Sequence, residues 1–147
     1  MKLATATTPR AMRRLSERLK GRGKVLALVP TMGGLHEGHL SLVRLASKSA
    51  DRVCVSLFVN PLQFGPSEDY ARYPRDTKRD LSLLEDQGVD AVYAPSAEAM
   101  YRDGFASRAT VTGLESMLEG ASRPGHFAGV CTVVLKLVNA VVPDELW

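Results

Sequence analysis

An uninterrupted apolar run at residues 25–29 constrains the fold of this chain more than any other feature. Gly23 lies shortly before the run and Pro30 directly follows it, so the run has the length of a strand. A strand without polar alternation is typical of a parallel sheet that is covered on both faces. Residues 52–60 are interpreted in the same way, as a second buried strand.

Helices are predicted before and between these two strands. Thr8 and Pro9 are typical residues for a helix start, and they predict a first helix over residues 8–20. The next predicted helix covers residues 37–49, where apolar residues recur near helical spacing. These apolar residues are Leu40, Leu42, Val43, Leu45 and Ala46.

The alternation continues along the chain. Residues 75–88 predict a helix that ends at Gly88, and residues 90–95 predict a third, short strand. Strands that alternate with helices imply right-handed crossovers. The sequence therefore predicts a single α/β domain over all 147 residues, with a parallel sheet flanked by helices.

The last third of the chain has weaker patterns. Residues 96–101 suggest a short helix, 108–112 a short strand and 113–120 another helix. The valine-rich stretch 127–142 has the length and spacing of a helix that Pro143 ends. Its predicted apolar face consists of residues 127, 130, 131, 134, 135, 138, 141 and 142, with Thr132, Lys136 and Asn139 on the other side.

The charge of the chain is unevenly distributed. The net charge is +3, but from residue 25 onward 11 basic residues stand against 15 acidic ones. The basic surplus therefore lies in the first predicted helix and its surroundings. No aromatic residues are interleaved there for stacking on bases, so we expect a solvated helix face and no nucleic-acid partner.

Cysteine usage and hydropathy indicate a cytoplasmic protein without a membrane partner. Cys54 and Cys131 are isolated, with no spacing typical of a zinc site or a disulfide framework. Residues 1–9 lack the apolar core of a secretory signal. The apolar stretch 127–142 is too short to span a bilayer.

The stretch PTMGGLHEGH at residues 30–39 follows the first predicted strand. A loop at that position lies at the carboxyl edge of a parallel sheet, where ligands bind. Gly33 and Gly34 permit positive φ and close approach of a ligand to the backbone. His36 and His39 are three residues apart, so they share a helix face and can reach one polyphosphate. Gly38 has no side chain, which leaves space for the ligand at the start of the helix.

Three stretches of the chain resemble one known family. His36-Glu37-Gly38-His39 resembles the HIGH signature of nucleotidyltransferases, and PTMGGLHEGHLSLV is similar to its form in the pantothenate synthetase family. Residues 58–76, FVNPLQFGPSEDYARYPRD, and 123–137, RPGHFAGVCTVVLKL, resemble later elements of that family in the same order. The resemblance implies a Rossmann-like parallel sheet of the HIGH nucleotidyltransferase type.

The resemblance also implies an activity. This activity is the ATP-dependent condensation of pantoate with β-alanine through a pantoyl-adenylate intermediate, which yields pantothenate, AMP and pyrophosphate. ATP is then a substrate that carries Mg²⁺ on its phosphates, with no tightly bound cofactor and no metal site on the protein. The expected assembly is a homodimer.

Site residues follow from the same resemblance. His36 and His39 are expected to be catalytic, with His39 in the position of a proton donor. The expected ATP-binding residues are Met32, Gly33, Gly34, Leu35, His36, Glu37, Gly38 and His39. The expected pantoate- and β-alanine-binding residues are Gln63, Asn60, Met32, Arg123 and His126. A cap before the following helix is an equal interpretation for His126, and Glu68, Asp69 and Asp76 are interpreted as caps and salt-bridge partners.

The family continues beyond the point that matches Trp147, with a further strand and a second, smaller domain. We therefore expect this chain to be the nucleotide-binding portion, with the C-terminal domain missing and the edge of the first predicted strand exposed. Two alternatives remain open. The chain is another HIGH-type adenylyl- or cytidylyltransferase, or it is an inactive domain that binds nucleotide or only dimerises.

Overall fold

The computed structural model describes residues 3–65, 70–113, 115, 117 and 119–147. The strands are β1 Ala4–Ala6, β2 Leu26–Thr31, β3 Arg52–Leu57, β4 Ala91–Tyr93 and β5 Glu145–Leu146. The helices are α1 Pro9–Lys20, α2 Glu37–Ser49, α3 Thr77–Asp86, α4 Ala97–Met100, α5 Glu119–Ser122 and α6 His126–Val141. Two 3₁₀ turns cover Pro61–Gln63 and Tyr70–Arg72.

All five strands form one parallel sheet in the order β1-β4-β3-β2-β5. The pairing of β2 with β3 is the longest and runs from Leu26 opposite Arg52 to Thr31 opposite Leu57. The chain builds the sheet outward from β2 through β3 to β4, and then returns to add β5 on the other side of β2. This reversal places a ligand crevice beyond the carboxyl end of β2, and the predicted parallel α/β fold is confirmed.

Helices cover both faces of the sheet, as the apolar run at residues 25–29 predicts. Leu26 and Leu28 pack on the side of α1 and α6, where Met12 and Leu137 belong to the same buried cluster. The alternate residues of β2, Ala27 and Val29, pack on the side of α2 and α3. A strand with two buried faces has no position for a polar side chain, which explains the unbroken apolar sequence.

Side chains cap the two helices predicted over residues 8–20 and 75–88, and the second of these begins two residues later than predicted, at Thr77. The hydroxyl of Thr8 accepts a hydrogen bond from the Ala11 amide at the start of α1. The carboxylate of Asp76 does the same for the Arg79 amide at the start of α3, so its interpretation as a cap is confirmed. Glu68 and Asp69 lie outside the described residues.

The weak patterns gave several wrong predictions. Residues 108–112 contain no strand, and the helix predicted over 113–120 is observed only as α5 at its end, with residues 114, 116 and 118 outside the described part. Strand β1 was not predicted because three residues, ATA, carry no apolar run. In α2, Leu42 and Leu45 are exposed, whereas Leu40, Val43 and Ala46 are buried as expected.

Helix α6 exists as predicted, but its buried face is different. Thr132, predicted on the polar side, is buried, and Leu135, predicted in the core, is 51% exposed. The physical reason is the close approach of α6 to the turn Pro61–Gln63. Gly129 lies at this contact, where an added Cβ would be 2.3 Å from the Leu62 carbonyl oxygen. The side of α6 that contains Gly129, Thr132 and Val133 therefore faces the protein, and Leu135 lies on the exposed side.

The predicted exposed edge of the first strand is also corrected. β5 pairs with β2 in parallel, with Ala27 opposite Glu145 and Leu28 opposite Leu146. The Asp144 carboxylate fixes this junction, because it accepts hydrogen bonds from the Leu26 amide at 2.9 Å and from Lys20 Nζ at 2.6 Å. Both cysteines are free. None of the described helices is long and apolar enough to cross a membrane.

Candidate active site

The loop between β2 and α2 contains two glycines in the left-handed region. Gly33 has φ of 83° and Gly34 has φ of 63°, values that residues with a Cβ rarely adopt. The predicted positive φ at both positions is confirmed. The loop brings the start of α2 to the carboxyl end of β2, where Met32 and His39 line the same cavity.

Asp80, which the sequence analysis did not single out, holds this loop in place. Its two carboxylate oxygens accept hydrogen bonds from the amides of Gly34 and Leu35, both at 2.9 Å. The side chain belongs to α3 and the residue is only 2% exposed. Arg79 donates to the Leu35 carbonyl oxygen at 3.2 Å, so α3 binds both polar groups of the Leu35 backbone. The sequence signal was an acidic residue one helical turn before the buried Leu84.

The bonds to Asp80 change the expected role of the loop backbone. The amide of Gly33 donates to the Thr31 hydroxyl at 3.2 Å, so three consecutive amides, 33 to 35, already have acceptors within the protein. Donors for an anion must therefore come from the start of α2 and from side chains. This arrangement differs from a glycine-rich loop whose own amides surround a phosphate.

His36 caps α2 with its own ring. Its Nδ1 accepts a hydrogen bond from the Gly38 amide at 3.1 Å. In a neutral imidazole one nitrogen accepts and the other donates, so the Nε2 of this exposed side chain carries the hydrogen. Gly38 makes room for the ring, because an added Cβ would lie 2.8 Å from His36 Cε1.

His39 lies beside His36, as the spacing of three residues predicts. The ring centroids are 4.2 Å apart, and the rings are tilted by 47°. Burial lowers the pKa of His39, the neighbouring charge of His36 lowers it further, and Asp80 acts in the opposite direction. Its Nδ1 is buried and has no hydrogen-bond partner among the described residues. A buried polar atom of this kind is typical of a position where a ligand or water completes the bonding.

Gln63 approaches the same cavity from the turn Pro61–Gln63. Its side-chain Nε2 lies 3.0 Å from the sulfur of Met32, so the structure brings these two predicted residues together. Asn60 lies underneath at 1% exposure. It donates to Gln63 Oε1 at 3.1 Å and to the Gly129 carbonyl oxygen at 3.0 Å. Both amide hydrogens of Asn60 are therefore used within the protein.

Arg123 and His126 reach Gln63 from the beginning of α6. The Nδ1 of His126 lies 2.9 Å from the backbone carbonyl oxygen of Gln63, and an Arg123 nitrogen donates to the same oxygen at 3.4 Å. The carbonyl accepts, so Nδ1 of His126 donates. Gly125, with φ of 82°, is the residue that caps α6, and the interpretation of His126 as the cap is wrong.

A cavity of about 260 Å³ is lined by Met32, His39 and Gln63, but not by Asn60, Arg123 or His126. Its polar lining comes from Thr31, His39, Gln63 and Tyr73, and its apolar lining includes Phe58 and the face of α6 with Val130, Val133, Val134 and Leu137. Burial, followed by the charge of Asp80, raises the pKa of Tyr73, so its hydroxyl stays protonated. Other depressions, of 270 to 540 Å³, contain neither Gln63 nor a histidine, although the one of 440 Å³ is lined by Met32, Gly33 and Asp80. Among the described residues, no three His, Cys, Asp or Glu side chains converge on a metal position.

Comparison with known proteins gives the chain a family. The Pantoate-beta-alanine ligase family model matches residues 4–147. The chain is 61% identical to a pantothenate synthetase of Carboxydothermus hydrogenoformans over 85% of this chain and 44% of that protein. It is 54% identical to that of Caldicellulosiruptor bescii over 92% of this chain and 48% of that protein. The chain thus spans about half the length of these curated relatives.

Solved structures agree with this similarity. The pantothenate synthetase of Thermus thermophilus superimposes with a TM-score of 0.89 at 50% identity, covering 97% of this chain and 50% of that one. A pantoate-beta-alanine ligase of Francisella tularensis, complexed with Beta-gamma ATP and Beta-alanine, superimposes with a TM-score of 0.92 at 38% identity. That match covers 99% of this chain and 56% of that one. The chain belongs to the pantoate-beta-alanine ligase family.

Proposed function

We propose that this chain is the ATP- and pantoate-binding part of an enzyme that condenses pantoate with β-alanine to give pantothenate. The observation that carries the proposal is the single cavity that His39, Gln63 and Met32 line together. A phosphate-binding histidine and a carboxamide donor on one small cavity support the joining of a nucleotide to a small acid. Membership of the family supports the choice of pantoate as that acid.

The proposed reaction has two steps. A carboxylate oxygen of pantoate forms a bond to the α-phosphorus of ATP, and the bond from that phosphorus to the bridging oxygen of pyrophosphate breaks. The amine of β-alanine then attacks the acyl carbon of the pantoyl adenylate, loses a proton and displaces AMP. The substrate carboxylate is the nucleophile, so the protein needs to position the groups and stabilise charge.

The start of α2 is the proposed phosphate site. His36 offers Nε2–H, His39 lies against it, and the positive end of the helix dipole favours an anion at this position. The lowered pKa of His39 keeps its ring neutral near pH 7, so it acts there as a hydrogen-bond donor. Proton transfer from His39 to a leaving group, expected from the family resemblance, requires the protonated ring, which the lowered pKa disfavours near pH 7. Mg²⁺ enters with ATP as part of that substrate.

The cavity itself is the proposed pantoate site. The Gln63 amide group supplies a donor for the hydroxyl or carboxylate oxygens of pantoate, and Val133 and Leu137 offer an apolar wall for its two methyl groups. Three further residues hold Gln63 in position. Asn60 donates a hydrogen bond to its side-chain oxygen, and Arg123 and His126 contact its backbone carbonyl oxygen. We propose that these three residues contribute to substrate binding indirectly, because they hold Gln63 in place.

We also propose a homodimer in the cytoplasm. Leu135 on the outer face of α6 and Val111 in the segment that precedes α5 are exposed apolar side chains, which support an interface with a second copy. Two free cysteines are consistent with a reducing compartment. Light scattering on the purified chain tests the first part, and a monomer at micromolar concentration would contradict it.

Separate titrations with ATP and with pantoate test the proposed function. We expect the wild-type chain to bind both ligands, and Gln63→Ala to lose pantoate binding while it keeps its affinity for ATP. A pyrophosphate assay with pantoate then measures adenylate formation. ATP binding without any pantoate binding would point instead to another HIGH-type transferase or to an inactive nucleotide-binding domain.

A further inference from the structure

Tyr101 lies behind the proposed pantoate site and has no expected role in it. The residue follows α4, and its ring packs between Phe58 and Phe105, with centroid distances of 6.2 and 5.0 Å. The ammonium group of Lys136 lies 5.5 Å from the ring centroid. The Tyr101 hydroxyl is 2.7 Å from Asn60 Oδ1. Burial raises the pKa of Tyr101 to about 12, so the hydroxyl retains the hydrogen that it donates.

Three groups together determine which end of the Asn60 amide is oxygen and which is nitrogen. The Leu62 amide donates at 3.3 Å to one end, which must therefore be the oxygen. The Gly129 carbonyl accepts at 3.0 Å from the other end, which must be the nitrogen. The Tyr101 hydroxyl is the second donor to that oxygen, so it reinforces the same orientation.

The orientation of the Asn60 amide determines the orientation of the Gln63 amide. The Asn60 nitrogen donates to Gln63 Oε1 at 3.1 Å, so the oxygen of Gln63 faces inward. The NH₂ group of Gln63 is left toward Met32 and the cavity. A rotated amide would present its oxygen to the cavity and repel a carboxylate, since both groups are acceptors.

We infer that Tyr101 is a positioning residue, which acts through Asn60 to keep the NH₂ group of Gln63 turned toward the cavity. The ligand class that this orientation selects is an acid or alcohol whose oxygens accept hydrogen bonds. The inference rests on the proposed function for the identity of the ligand, pantoate. The orientation of the Gln63 amide does not depend on that identity.

Tyr101→Phe removes the hydroxyl and keeps the ring contacts. We expect the dissociation constant for pantoate to rise roughly three- to tenfold, the usual effect of one lost hydrogen bond, with the constant for ATP unchanged. The side-chain NH₂ resonances of Gln63, observed by NMR without ligand, are expected to shift. Tyr93→Phe is the matched control, because Tyr93 is buried in the same core and its hydroxyl contacts the sulfur of Met100 at 3.4 Å.

The two readouts separate the two hypotheses. If the wild-type chain does not bind pantoate, the proposed function fails, and a selective shift of the Gln63 resonances in Tyr101→Phe still supports the positioning role. Unchanged Gln63 resonances in a folded Tyr101→Phe chain would overturn the inference. An equal loss of pantoate affinity in Tyr93→Phe would also overturn it, because the effect would then be a general loss of core stability.

Discussion

Gly129 in α6 and Leu62 in the turn Pro61–Gln63 are in direct backbone contact. A Cβ at position 129 would lie 2.3 Å from the Leu62 carbonyl oxygen and 2.7 Å from the Gln63 amide nitrogen. Backbone atoms cannot move away as a flexible side chain can, so Gly129→Ala must separate the helix from the turn. We expect it to destabilise the fold by about 1–3 kcal/mol, measured by urea unfolding. The control is Asn139→Gln, a replacement at an exposed position of the same helix, and it is expected to stay within about 0.5 kcal/mol of wild type.

Replacement of Asp80 tests the support of the glycine loop. Asp80→Asn keeps the size of the side chain, but its NH₂ group faces one of the two amides that the carboxylate accepts from. We expect a loss of about 1–3 kcal/mol in unfolding free energy and weaker ATP binding, because the start of α2 loses its fixed position. Asp86→Asn is the control, because it removes the same charge from an exposed position in the same helix. Equal behaviour of the two variants would contradict the role of Asp80.

Gly38 gives a prediction that opposes the usual effect of glycine replacement in a helix. Alanine in a helix normally stabilises by about 1 kcal/mol relative to glycine. Here the new methyl group would displace the His36 ring, because its carbon would lie 2.8 Å from His36 Cε1. We expect Gly38→Ala to fold and to bind ATP more weakly. Its gain in unfolding free energy, obtained from thermal unfolding, should be smaller than about 1 kcal/mol. A fully stabilised variant with wild-type ATP affinity would show that the cap of His36 is dispensable.

The pKa of His39 is open to direct measurement. It is lowered by burial first and by His36 second, so the NMR titration midpoint of its Cε1–H signal is expected below 6.5. His36→Gln removes the neighbouring charge and should raise that midpoint, whereas Asp80→Asn should lower it. A midpoint at or above 6.5 in the wild-type chain would refute the environment described for this ring.

The same shift affects stability in a defined direction. Because the folded chain binds a proton at His39 less readily than the unfolded chain, folding loses free energy as the pH falls from about 6.5 toward the lowered pKa. Above 6.5 both states are neutral at this residue and the contribution disappears. We expect His39→Gln to flatten this part of the stability curve in urea unfolding between about pH 5 and 8, with ATP affinity reduced in parallel. A curve identical to wild type would contradict the assignment.

Local sequence patterns predicted those parts of the molecule that local forces decide. The apolar run before Pro30, the glycines of the loop and the spacing of His36 and His39 each follow from a short stretch of chain. Helix α2 was predicted with its observed limits for the same reason.

Tertiary contacts decided the rest. The buried face of α6 was mispredicted because apolar spacing alone does not reveal that Gly129 meets another backbone. Asp80 and Tyr101 were overlooked because their partners lie 46 and 41 residues away in the chain. An aspartate in a first helical turn and a tyrosine after a short helix both have ordinary local explanations.

The bond between Asp80 and the loop has a consequence for the order of folding. Gly34 and Asp80 are 46 residues apart, and Asn60 and Gly129 are 69 residues apart, so the bonds that hold the segments around the cavity join distant parts of the chain. Contacts of such sequence separation form only after long loops have closed. During refolding, helical signal should therefore precede the capacity to bind ligand, and the cavity should arise together with the last long-range contacts of the sheet and α6.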